Sequence, residues 1–283
     1  MRLGGEVKSA YNSPQEWAEH VYRLGYSAVY CPVDETADSD TRKAYRDMAQ
    51  KLDVVIGEVG IWRNCLSLDE TERKKNLEYA KKRLDLAEEI GANCCVNVAG
   101  NRGEIWDGFS IENYSDDTYA LIVDMAREII DDVDPKYTFF TLEPMPWMIP
   151  DSPESYLQLI KDVDRKAFGV HLDYVNMINS PRKHIESTKF IQSCFDLLGP
   201  YIKSIHGKDS IMENAYTTVI RETMPGKGNL DYTKILPMVQ KLGKDTVFFT
   251  EHLPDEESYL EATGYIRKMA DKAGVEIILP KKC

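Results

Sequence analysis

Three carboxylates and one imidazole stand at the ends of apolar runs. Glu143 closes YTFFTLE, Asp173 closes AFGVHLD, His206 closes YIKSIH and Glu251 closes TVFFTE. Runs of this length, rich in β-branched and aromatic residues, read as buried strands. Parallel neighbouring strands would bring all four groups to one end of a sheet. An oxygen-rich set with one imidazole suits a divalent cation, manganese first, with magnesium or cobalt as alternatives. A single acid at a strand end is ordinarily a solvated carboxylate or a helix cap, but four in register point to metal-assisted catalysis.

The elements that must position these groups alternate along the whole chain. Strands are expected near 2–7, 27–32, 54–60, 94–100, 137–143, 167–173, 201–206 and 246–251. Between them lie helices with clear punctuation. Ser13-Pro14-Gln15-Glu16 reads as a capping box with Pro at the first helical position, and Gly25 is placed to stop that helix. Ser152-Pro153 opens another in the same way. Leu77, Ala80, Leu84, Ala87 and Ile90 form a stripe at helical spacing, followed by Gly91. About eight strands alternating with about eight helices predict a (β/α)8 TIM barrel, one domain over residues 1–283. The intervals from Glu143 to Asp173 and on to His206 each fit one strand–helix unit. A doubly wound open sheet is the alternative, and the absence of GxGxxG after the first strand weighs against its dinucleotide-binding form.

Side-chain parity agrees. Residues two apart share a strand face, so Glu143 lies with Thr141 and Phe139, Asp173 with His171, and Glu251 with Phe249. These point into the barrel, and in barrels the strand C-terminal ends carry the active site.

Composition narrows the function. A net charge of −12 argues against a nucleic-acid partner, because that binding depends on Lys and Arg neutralising phosphates. No apolar stretch reaches the ~20 residues of a membrane span, and MRLGGEVKSA lacks a secretory core, so a cytoplasmic location is expected. The six cysteines show no CxxC, consistent with reduced and mostly buried thiols, with Cys283 exposed.

TLEPMPW, GVHLDYVN, SIHGKD, FFTEHL and the PGKG element at 225–228 together resemble the strand-end motifs of the xylose isomerase-like TIM barrels (sugar phosphate isomerase/epimerase family). The resemblance spans essentially the whole chain. It implies that Glu143, Asp173, His206 and Glu251 are the metal ligands and that the substrate is a small carbohydrate. It also leaves room for a homo-oligomer or an obligate partner subunit. Two departures stand out: Asn176 occupies the place where ketose 3-epimerases commonly carry a His, and Met212 stands near their Arg.

The set could hold a ketose or hydroxy-ketone as a chelate and stabilise the enediolate left when a neighbouring C–H proton departs. Glu143 and Glu251 are the expected acid–base pair as well as ligands. The leading expectation is an isomerase or epimerase of a sugar or sugar derivative. The alternative is a lyase that eliminates a group from a 3-keto-glycoside, as C-deglycosidases do. Phosphodiester hydrolysis of the endonuclease IV kind needs several His ligands, and only five His are present. A non-catalytic binding protein is a fourth reading.

Glu58, Asn97, Trp147, Asn176 and Lys208 are expected to line the substrate site, with Trp62 and Asn64 nearby. His171 is expected to be a satisfied core residue, with support of the metal site as its other role. His252 should point away from the lumen, as a structural or rim residue, and His20 and His184 should lie on the surface. Gly226 and Gly228 read as a tight turn rather than a phosphate loop.

Overall fold

The computed structural model describes residues 1–282, and the expectation for Cys283 lies outside them. Ten strands occur among the described residues: β1 (Arg2–Gly5), β2 (Ala28–Tyr30), β3 (Val55–Gly60), β4 (Cys94–Asn97), β5 (Phe139–Leu142), β6 (Phe168–Asp173), β7 (Ile202–His206), β8 (Asp209–Met212), β9 (Ile220–Thr223) and β10 (Val247–Phe249). Eight of them close into a barrel in the order β1-β10-β7-β6-β5-β4-β3-β2. All eight pairings are parallel. Closure through β1 and β10 rules out the open doubly wound sheet.

Each barrel strand coincides with one expected from sequence. β8 and β9 have no counterpart among those expectations; they form an antiparallel hairpin immediately after His206. Their half-exposed pattern gives little periodic signal, which is why SIHGKDSIMENAYTTVIRET reads as strand then loop.

The helices begin and end where their punctuation requires. Ser13 Oγ accepts from Glu16 N–H, Pro14 occupies the first turn, and Gly25 closes Pro14–Leu24 with a left-handed φ of 69°. The Glu16 carboxylate bonds Asn12 N–H rather than Ser13, so only half the capping box forms. The complete box is at Ser152 and Ser155. In Glu70–Ile90, Ala80, Leu84, Ala87 and Ile90 are buried and Leu77 is partly buried against them.

The main core lies between barrel and helices, while the lumen is filled in layers. Gly57 has no side chain because the Phe249 ring fills that space; a Cβ there would meet Phe249 at 2.5 Å. Phe249 stacks on Tyr30 with centroids 4.4 Å apart. Burying such faces is the dominant favourable contribution to the fold, at about 25 cal/mol per Å2. Above this layer the lumen becomes polar. No helix among the described residues is long and apolar enough to cross a membrane.

Candidate metal centre

Parallel pairing places the C-terminal ends of β5, β6, β7 and β10 side by side. Asp173 and His206 are direct partners in the β6–β7 register, and His206 pairs with Phe249 in β10. Glu143 follows β5, with its N–H donating to Asn97 O at 2.7 Å. One ligand atom from each of Glu143, Asp173, His206 and Glu251 lies within 4.8 Å of the others. The four residues singled out by their strand-end positions are thus brought together by the fold.

The donors are oriented. Asp173 Oδ1 accepts from the N–H groups of Val175 (2.9 Å) and Asn176 (3.0 Å), which pins the carboxylate and leaves Oδ2 facing the cluster. Glu143 Oε1 accepts from Asn176 Nδ2 at 3.1 Å. His206 Nδ1 lies 2.9 Å from Glu251 Oε1 and 3.4 Å from Glu143 Oε1. On its other side, His206 Nε2 stands 3.3 Å from Glu58 Oε2. Glu58 in turn lies 3.4 Å from His171 Nδ1, which contacts Ser204 Oγ at 2.6 Å. A carboxylate behind an imidazole fixes its tautomer and raises its basicity as a ligand. Glu58 is therefore a supporting group as well as part of the cleft wall, and His171 belongs to the same support rather than to a plain core.

Lys208 is almost fully buried among these acids. Its Nζ is 2.7 Å from Asp173 Oδ2, 3.1 Å from Glu222 and 3.9 Å from Glu143, and it also contacts Glu251. Besides lining the cleft, Lys208 thus serves in this arrangement as a tethered counter-charge for the cluster.

Burial and mutual charge shift these groups apart. Burial raises Glu58, but His206 and His171 outweigh it and hold it at about 2. Burial also raises Asp173, with Glu143 and Glu251 adding to it and Lys208 opposing, so it lies at about 6. Against the same burial, His206 and Lys208 hold Glu251 well below the usual carboxylate range. Burial pulls His206 down, yet Glu251 and Glu58 drive it well above 6.5.

These residues fit a divalent cation. Asp173 Oδ2, His206 Nδ1 and Glu251 Oε1 are buried without a hydrogen-bond partner. Lys208 now neutralises the two carboxylates from 2.7 Å of Asp173 Oδ2 and in contact with Glu251, the place a cation would take. Opposed ligands of an ion bound at about 2.1 Å stand about 4.2 Å apart. A set spread over no more than 4.8 Å needs only small side-chain movements, with Lys208 stepping aside.

The cluster forms the floor of a cleft of about 800 Å3. Glu58, Trp147, Asn176 and Lys208 line it as expected, but Asn97 does not. The Asn97 side chain instead accepts from Arg63 N–H and donates to Arg63 O, tying down the loop after β3. Asn64 does related work, bonding Asn101 and Leu66.

Two histidine expectations are corrected. His184 is buried, not superficial, between Ser210 Oγ (3.1 Å) and Asn229 Oδ1 (3.2 Å). His252 lines the cleft and pairs with Glu222 at 2.9 Å. Strand parity fails there because β10 ends at Phe249 and His252 takes a left-handed φ of 54°. The PGKG segment is a turn, as expected. Asp209 accepts the N–H groups of Gly226, Gly228 and Leu230, and a Cβ at Gly228 would lie 2.2 Å from the Asp209 carboxylate.

A closed parallel (β/α)8 barrel with carboxylate and imidazole groups gathered at its C-terminal mouth defines a class, the TIM barrels, whose functional groups stand at the strand C-terminal ends. The chain matches the xylose isomerase-like TIM barrels over residues 18–269 and belongs to that family. It is 24% identical over 191 residues to an uncharacterized protein of Methanocaldococcus jannaschii, a match covering 67% of this chain and 60% of the relative's length. Among solved structures, endonuclease IV from Thermus thermophilus is similar with a TM-score of 0.71 and 13% identity, over 96% of this chain and 100% of that one. The 3-keto-D-glucoside 4-epimerase of E. coli gives 0.66 and 15%, over 95% and 99%. A xylose isomerase-like TIM barrel protein from Mycobacterium smegmatis in complex with magnesium gives 0.66 and 19%, over 95% and 92%. At such identities these likenesses establish the shared fold and leave the chemistry to the site.

Proposed function

We propose that this protein is a divalent-metal-dependent isomerase or epimerase of a carbonyl-bearing sugar or sugar derivative. The observation that carries the reading is the convergence of Glu143, Asp173, His206 and Glu251 within 4.8 Å of one another, three of them lining the floor of an open cleft and Asp173 buried beside them. An ion of the manganese or magnesium kind, held by those four residues, supplies positive charge to stabilise negative charge developing on a substrate oxygen. Glu143 and Glu251 come from opposite ends of the ligand arc, after β5 and after β10. One takes the proton from the carbon beside the carbonyl, and the other returns a proton to the resulting enediolate. Glu58 and His171 hold His206 in one tautomer while this occurs. Asn176, by donating to Glu143, fixes the direction of its remaining lone pairs.

Among the described residues the four-residue ligand cluster contains one imidazole, His206, whereas a multi-zinc phosphodiesterase needs several His ligands, although endonuclease IV shares the fold. Elimination from a keto-glycoside is the second reading. It is favoured by the His252–Glu222 pair, which places another proton-carrying group in the cleft with His252 Nε2 3.6 Å from Glu251.

The test is proton exchange in D2O. Manganese-loaded protein is offered ketoses, 3-keto-glycosides and inososes, and the products are followed by mass spectrometry. Deuterium in an intact sugar supports the isomerase or epimerase, and release of an aglycone moves the assignment to the lyase. Metal binding without exchange on any of these substrates would overturn both.

A further inference from the structure

Three tryptophans at the mouth are more than one-third exposed: Trp62 at 36%, Trp106 at 38% and Trp147 at 37%. All three line the cleft that has the ligand set at its floor. They come from three consecutive connections, after β3, β4 and β5, and so occupy one sector of the rim. A single exposed aromatic needs no explanation. Three large apolar faces gathered in one concave site do, because such sites owe most of their affinity to aromatic lining.

Two of the rings are held in place while exposed. Trp147 Nε1 donates to Asp107 O at 2.7 Å. Trp62 adopts a left-handed φ of 52°, unusual for a bulky side chain. Its indole lies so close over Gly60 that a Cβ there would sit 2.1 Å from Nε1. An off-region backbone and a glycine that makes room both serve to keep this ring at the cleft, and strain of that kind persists where the surroundings impose it.

Size and charge narrow the occupant. About 800 Å3 lies toward the upper end of the ~300–1,000 Å3 that encloses ligands of drug size, far more than one hexose fills. The Lys and Arg side chains in the cleft are already engaged: Lys208 by four acids, and Arg83 by Gly60 O at 2.9 Å and Glu35 at 3.3 Å. An anionic substituent such as a phosphate therefore finds no free counter-charge, whereas a neutral ring finds three aromatic faces.

We propose that the tryptophan sector binds the second ring of a glycoside. The substrate is then a carbonyl-bearing sugar joined to a further pyranose or aryl ring, which stacks on Trp62, Trp106 and Trp147 while the first ring meets Glu143 and Glu251. This rests on the sugar-acting reading above and adds the substrate's length to it.

The test uses magnesium-loaded protein and three unreactive probes, methyl β-glucoside, phenyl β-glucoside and cellobiose, titrated by saturation-transfer NMR. The expected result is that phenyl β-glucoside or cellobiose binds about tenfold more tightly than the methyl compound, the gain expected of a stacked ring. Which of the two gains tells an aryl from a sugar substituent. Trp62→Ala and Trp106→Ala should each erase most of that gain, while Trp106→Phe keeps part of it and all variants still bind metal. Equal binding of the three probes, or a gain that survives both alanine variants, overturns the proposal. The D2O exchange experiment separates the two levels. Exchange into a free ketose without any ring preference leaves the proposed activity standing and removes the subsite. A tryptophan-dependent ring preference without exchange on any substrate does the reverse.

Discussion

At the N-terminal end of the barrel Arg2 is 6% exposed, yet its guanidinium is fully engaged. It bonds Asp245 through Nε (3.0 Å) and Nη2 (2.8 Å), Asp53 Oδ1 through Nη2 (2.8 Å), and the Asp53 carbonyl. Both acids keep contact with solvent. At the mouth, Glu58, Glu143, Asp173 and Glu251 crowd around His171, His206 and Lys208, and several of their lone pairs go unpaired. One charged group is buried with every need met, and the other cluster is buried with needs left open. Since leaving a buried polar atom unpaired costs about 1–3 kcal/mol, such a cluster persists where binding a ligand offsets it. The first is architecture and the second is the candidate site.

The sharpest way to break this contrast is at the proposed acid–base pair. Glu143→Gln and Glu251→Gln should each slow deuterium exchange by about 10²–10⁴-fold, measured by mass spectrometry on metal-loaded protein. If both keep full activity with metal bound, the acid–base assignment is wrong. Glu58→Gln should act less severely, through His206, weakening manganese affinity or activity by about 10–100-fold in calorimetry and exchange assays. An unchanged affinity and rate would reduce Glu58 to cleft lining.

pH offers a third test. Asp173 lies at about 6 in the metal-free fold, above an unfolded value of about 3.9. The folded state therefore holds the extra proton between these values. Its contribution to stability is fully present below about pH 4 and is lost as pH rises through about 6. A cation must displace that proton and the one His206 retains at neutral pH, so manganese affinity should fall as pH drops from 7 and fall more steeply below about 6. Calorimetric titrations from pH 5 to 7 would show it, and a slope that does not steepen below about pH 6 would remove Asp173 from the ligand set. The smallest effect on function belongs to the other end. Arg2→Met should cost about 1–3 kcal/mol in denaturant melts and leave the exchange rate unchanged. A large rate loss in a folded Arg2→Met protein would show that the two ends are coupled.

Much of the barrel and of the candidate ligand cluster is legible in the sequence because both rest on short-range pattern. Strand ends, helix caps at Ser13 and Ser152, and the stop at Gly91 are local signals, and parity then directs Glu143 and Asp173 inward. What escapes depends on distance in the chain. Glu58 and His206 are 148 residues apart, and nothing in VVIGEVG announces an imidazole behind its carboxylate. The one clue is a Glu in the middle of an apolar strand. Asn97 does stand at its strand end, but its amide turns to the neighbouring loop. His252 defeats parity because the strand has ended three residues earlier, and His184 lies on a five-residue helix too short to show a buried face. The β8–β9 hairpin escapes because its half-exposed residues leave no regular apolar alternation.

The Arg2–Asp245 clasp joins residues 243 positions apart and sits where β1 meets β10. While the chain is being synthesised, β1 emerges first and its closing partner almost last. Until then β1 and β7 present open edges, the form of strand most prone to pair with another molecule. Production of this protein in a host cell is therefore most vulnerable late in translation, and supplying chaperones over that interval should improve soluble yield more than any change at the mouth.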